Sequence, residues 1–120
     1  MELNKYQELA SRTQPAGGKN HWFLGESHHV DLVHASLGLL TEVGELADPI
    51  KKAMMYGKPI DYKNIREEAG DVMWYLALLC RALGCTLEEL ADENIKKLQE
   101  RYPARYTDAD AIERKDKAGE

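Results

Sequence analysis

The sequence is poor in several features that would each have directed its reading. No cluster of lysine and arginine forms a basic stripe, and the formal net charge over 120 residues is -5. Duplex nucleic acid is therefore excluded as the expected partner, because binding it requires cations to neutralise phosphates. No stretch approaches the roughly 20 apolar residues needed to cross a bilayer, so no membrane partner is expected. The amino terminus, Met1-Glu2-Leu3-Asn4-Lys5, has no apolar run and reads as lacking a signal peptide. The only cysteines, Cys80 and Cys85, are too few for a disulfide framework. Cys80 lies in an apolar helical stretch and reads as a reduced core residue, which points to a cytoplasmic protein. Internal repeats and low-complexity tracts are absent, and no alternating apolar run signals a strand.

What is present is helical periodicity. A first helix is expected over residues 2–12, followed by a turn-rich stretch around Pro15-Ala16-Gly17-Gly18 that runs to Ser27. A second helix is expected from His28 to Met55, stopping near Gly57 and Pro59. Asp61 can cap a third over 62–83, which Gly84 ends. Thr86 opens a capping box with Glu89, starting a fourth helix that reaches Arg101 before Pro103. The fold class is all-α: a four-helix bundle with short connections over 1–106, completed by oligomerisation, and a charged tail over 107–120 that is expected to be extended or mobile, or to cover a partner subunit. Pro49 interrupts the second helix, since it removes the amide that would bond the carbonyl of Glu45. A kink is one expectation; a helix end near Ala47 and a new start at Pro49 is the other.

On the second helix Val30, Val33, Leu37, Leu40 and Ala47 share one apolar stripe. Leu32, Leu39, Leu46 and Ala53 form another, nearly opposite. Between them runs a polar strip with Asp31, His34, Glu42, Glu45 and Lys52, expected to face a cleft. Two apolar stripes exceed what four short helices in one subunit can cover, so a homodimer or homotetramer is expected. On the third helix Glu68, Asp71 and Tyr75 share a face by spacings of three and four. If the two helices pack antiparallel, Glu42, Glu45, Glu68 and Asp71 converge. Uncompensated carboxylates in a cleft would have to protonate; hard divalent cations, which prefer oxygen ligands, remove that conflict. One Glu-x-x-Glu is ordinary on a solvated helix face. Two such pairs, each set among apolar residues, leave metal binding and plain solvated carboxylates as equal readings.

The run Leu40-Thr41-Glu42-Val43-Gly44-Glu45-Leu46-Ala47-Asp48, followed by Arg66-Glu67-Glu68-Ala69-Gly70-Asp71-Val72-Met73-Trp74-Tyr75, resembles the MazG-type all-α nucleoside triphosphate pyrophosphohydrolases. Tyr56-Gly57-Lys58-Pro59 and the segment from Asn94 to Pro103 share the resemblance, which covers about residues 30–105. The paired motifs occur in order, with 22 residues between Glu45 and Glu68. The resemblance implies cleavage of a nucleoside triphosphate to monophosphate and pyrophosphate. It implies two or more ions of magnesium, or manganese in its place, held by the four carboxylates. The substrate is expected among the deoxynucleotides (dGTP, dCTP or dUTP), in pool cleansing or in supplying monophosphate for modified nucleotides. Phosphoribosyl-ATP hydrolysis and a non-catalytic nucleotide or metal-binding module are the alternatives. Two departures stand out: Thr41 where many relatives carry a further glutamate, and Pro49 where a helix former is usual.

Around this centre, Lys52, Lys97 and Arg101 are candidates for the outgoing pyrophosphate, and Asn94 and Tyr75 for the nucleotide site by resemblance. Trp74 can stack on a base or pack in the core, and Trp22, beside His21 and Phe23 in a loop, suits a ligand lid. His34 is a candidate for sugar or base contact, or a satisfied cleft histidine. Glu26 and His29 form one Glu-x-x-His, the unit that ferritin-like di-iron bundles use twice; a single copy does not support that reading.

Overall fold

The computed structural model describes residues 1–15 and 27–117, with the side chains of residues 27 and 28 left out of the description. Among the described residues there are five α-helices, one 3-10 turn and no strand. The chain divides into two compact units, Met1–Leu87 and Glu88–Glu120.

The first unit holds α1 (Leu3–Ser11), α2 (Ser27–Tyr56) and α3 (Tyr62–Leu83). Local chemistry fixes the ends of α3. Asp61 accepts a hydrogen bond from the Asn64 amide at 3.0 Å, satisfying a donor that the first turn leaves without a partner. Gly84 ends the helix in the left-handed region at φ 73, where a side chain would be strained. Gly57, at φ 64, follows α2 in the same way. α2 and α3 form the main packing pair and α1 lies along α3. The buried apolar side chains are Val30, Ala35, Ala77, Leu78, Cys80 and Leu87, so small residues carry much of the contact. At one point that contact is unusually close: the Tyr75 ring lies on Gly38, in the space a Cβ would occupy.

α1 and the residues just after it are tied to α3 and the turn that follows it by polar contacts spanning more than sixty residues of sequence. Gln7 donates to the Cys85 carbonyl at 3.0 Å and accepts from the Leu87 amide at 2.8 Å. The Trp74 indole donates to the Thr13 hydroxyl at 2.7 Å, and Arg81 donates to Gln14 at 3.1 Å.

Two expectations are corrected. α2 runs unbroken from Ser27 to Tyr56 with a buried Pro49 inside it, so no second helix starts at Pro49. The missing amide leaves the Glu45 carbonyl without its usual helical donor, and the helix continues around that gap. The segment after residue 107 is not extended. Thr107 accepts a hydrogen bond from the Asp110 amide at 3.1 Å and opens α5 (Asp108–Glu113), which leads to the 3-10 turn Lys115–Lys117.

That segment belongs to the second unit with α4 (Leu87–Arg101), of which only Leu87 lies in the first unit. Its main polar anchor is Asp116, whose fully covered carboxylate accepts two hydrogen bonds from Arg101, each at 2.8 Å. The Arg101 guanidinium, paired on both oxygens, holds the Asp116 carboxyl down at about 2. No single described helix is long and apolar enough to cross a membrane.

Candidate metal and nucleotide site

The acidic site is built by α2 and α3. One carboxylate oxygen each from Glu42, Glu68 and Asp71 lie within 4.8 Å of one another. Glu42 and Glu68 are half-buried, and Asp71 is open to solvent. Helical spacing explains the arrangement: Glu68 and Asp71 stand one turn apart on α3, opposite Glu42 on the neighbouring helix.

The local electrostatics are strained. Glu42 Oε2 and Glu68 Oε2 are covered and have no hydrogen-bond donor. A carboxylate oxygen in that condition is costly, since desolvation has no compensating partner. Burial pushes the Glu68 carboxyl up to about 7, with the charges and contacts of Glu45 and Glu42 adding to the shift. A proton shared between adjacent carboxyls relieves the repulsion; so does a cation. Every donor in the cluster is a carboxylate oxygen, the chemistry that suits magnesium or manganese rather than softer metals.

Glu45 is not part of the tight trio. It is exposed, stands beside Glu68, and lines an open groove of about 570 Å³ with Thr41, Gly44, Asp48, Asn64 and Glu68. Lys52, expected on the polar strip, forms an ion pair with Asp48 at 2.7 Å, and Lys51 approaches the same carboxylate at 3.4 Å. The Lys52 hydrogen bond, followed by smaller contributions from both lysines, lowers the Asp48 carboxyl.

An aromatic group adjoins the acids. Tyr75 sits one turn beyond Asp71, and its ring meets the edge of His34 at 5.6 Å and of Trp74 at 4.9 Å. His34 and Tyr75 are thus together, on the α2–α3 contact that Gly38 makes possible. Trp74 is drawn toward α1 by its bond to Thr13. Asn94 and Lys97 are exposed on α4 in the second unit, where Arg101 is engaged by Asp116. Trp22, His21, Phe23 and Glu26 lie outside the described residues.

Several residues at the site were not singled out by sequence. Asp48 and Asn64 line the groove, one turn from Glu45 and Glu68 respectively, so the same helical period contained them. Tyr6 had no such signal. It comes from α1, and both its burial and the nearby charge of Asp71 raise its phenol.

Comparison with known proteins agrees with this architecture. Residues 34–106 match the family described as MazG nucleotide pyrophosphohydrolase domain, and the match contains Glu42, Glu45, Glu68 and Asp71. The chain is similar to the Gene 37 protein of Mycobacterium phage L5, at 31% identity over 106 residues, covering 84% of this chain and 89% of that one. No solved structure matches it significantly. With both acidic pairs inside a match spanning more than half its length, the chain belongs to the MazG nucleotide pyrophosphohydrolase domain family.

Proposed function

We propose that the protein is a metal-dependent nucleoside triphosphate pyrophosphohydrolase. It converts a triphosphate, with a deoxynucleotide favoured, and water to the monophosphate and pyrophosphate. The observation that carries this reading is the convergence of Glu42, Glu68 and Asp71, with two covered oxygens that have no donor. Those three residues would hold magnesium, or manganese in its place. When bound, the metal neutralises phosphate charge and lowers the pKa of a coordinated water.

The chain's own residues account for the remaining tasks. Glu45 is the better proton acceptor of the α2 pair, because it is exposed at the groove while Glu42 has an oxygen sealed in the trio. Its carboxylate takes the proton of the water that attacks the α-phosphorus. The bond from that phosphorus to the bridging oxygen breaks, and pyrophosphate leaves with the electron pair. Tyr75 and His34 provide an aromatic and polar wall beside the acids for the sugar or base. The expected setting is the cytoplasm, with the chain acting as a homo-oligomer.

The test is a panel of natural and damaged triphosphates together with phosphoribosyl-ATP, each with magnesium and with manganese. Release of pyrophosphate from one of them is expected. Glu45→Gln should abolish turnover while magnesium still raises the melting temperature. Unchanged turnover in that variant sinks the proposed role of Glu45. Metal binding without pyrophosphate release from any substrate would make the protein a binding module instead.

A further inference from the structure

A second space adjoins the acidic groove, at the end where α2 turns into α3. It measures about 290 Å³ and is lined by Asp48, Lys52, Lys58, Asp61 and Asn64, with Pro49 and Pro59 as its apolar wall. Asp48 and Asn64 line both spaces, so the two adjoin along these residues. Along α2 the shared wall runs from Glu45 through Asp48 to Lys52, two turns or about 10 Å of helix axis. A polyphosphate arm can follow that line away from the carboxylates.

The charges in the second space differ from those in the first. Its acids are already engaged: Asp48 is paired with Lys51 and Lys52, and Asp61 caps α3 through the Asn64 amide. Among the described residues Lys58 forms no ion pair. Its backbone is also restricted by its neighbours, while its side chain is exposed. Gly57 turns the backbone at φ 64, and Pro59 restricts the residue before it to extended conformations. An ammonium on a backbone arranged in this way loses less freedom when it meets an anion.

We propose that this second space is the seat of the terminal phosphates, and that Lys58 is the residue that selects a triphosphate by binding its β and γ groups. The proposal rests on the pyrophosphohydrolase reading for the identity of the ligand. Lys52 lines the same space from α2, its charge shared with Asp48. Asn64, common to both spaces, stands where the arm passes from one to the other.

The direct test is calorimetric binding of magnesium pyrophosphate and, separately, of a nucleoside monophosphate to the full chain and to Lys58→Ala. Loss of one charge-assisted contact should weaken pyrophosphate binding by about tenfold and leave the monophosphate unchanged. Lys58→Arg should restore most of the affinity, and circular dichroism should be the same for all three proteins. In turnover, Lys58→Ala should raise KM for the triphosphate more than it lowers kcat. Equal pyrophosphate affinity in the wild type and Lys58→Ala overturns the proposal, as does an equal loss for the monophosphate. The two readings separate cleanly. Lys58-dependent pyrophosphate binding without turnover of any triphosphate keeps the subsite and removes the reaction, whereas turnover indifferent to Lys58 does the reverse.

Discussion

Glu68 concentrates the chemistry of the site in a single titration. Its carboxyl is raised from 4.5 to about 7 by burial, Glu45 and Glu42. A group whose folded pKa exceeds its unfolded value contributes stability that is complete below the unfolded pKa. That contribution disappears as pH rises through the folded one. For Glu68 the window is therefore about pH 4.5 to 7. Metal-free protein should lose melting temperature across it, and Glu68→Gln should flatten the loss and melt higher than the wild type at pH 8. Magnesium should stabilise the wild type far more at pH 8 than at pH 5, and the variant hardly at either, as read by thermal denaturation. A wild type indifferent to magnesium at both pH values would remove the metal from the site. Gly38 tests the neighbouring wall. A methyl group there collides with the Tyr75 ring, so Gly38→Ala should cost roughly 1–3 kcal/mol of stability, the usual range for overpacking. Adding Tyr75→Ala should recover part of that loss in a double-mutant cycle.

At the scale of elements, α1 matters because its Gln7 holds the turn from Cys85 to Leu87 that closes the first unit. Gln7 serves two backbone groups, the Cys85 carbonyl and the Leu87 amide, and both bonds are partly buried. Gln7→Ala should destabilise the first unit by about 1–3 kcal/mol, the cost of leaving such groups unsatisfied. Hydrogen exchange should quicken first at Leu87, and unchanged protection there would contradict the assignment. These contacts also mark where sequence reading stops. α3 was legible to the residue because Asp61 and Gly84 are capping residues with local causes. The shared face of Glu68 and Asp71 followed from period, while their meeting with Glu42 needed the further premise that α2 and α3 pack together. Tyr6 beside Asp71 did not, since nothing in a nine-residue helix announces which distant helix it will meet. The new helix start at Pro49 fails for a different reason: its local cost is real, but its buried ring lies within a long helix that continues past it. α5 was missed because no apolar face defines it. A threonine cap and the pairing of Asp116 with Arg101 hold the segment, and that pairing spans fifteen positions.

At the scale of the whole molecule, the question is what covers α2. Val33, Leu37 and Leu40 were expected on a buried stripe, yet they are 40%, 57% and 71% exposed in the single chain. Met54 continues the same side at 76%, while Gly44 and Ala47 between them have little or no side chain to obstruct a close approach. The few buried apolar residues of the first unit make a small core for a domain of this length. An apolar helix face of this length in water favours association, and the commonest solution for identical chains is a twofold pairing of one face with itself. A dimer or larger assembly is accordingly expected at micromolar concentration, measured by light scattering after size-exclusion chromatography. Leu40→Glu, placed at the most exposed of the three positions, should shift the mass to that of a monomer, because each copy would bring an unpaired charge to the contact. The same change on a free surface would alter stability by only about half a kcal/mol. A wild type that is already monomeric refutes the association, and so does an assembly indifferent to Leu40→Glu and Leu37→Glu together. Activity should fall with the mass if a second copy is needed to complete the groove beside Glu45, and comparing turnover with mass across a dilution series decides that point.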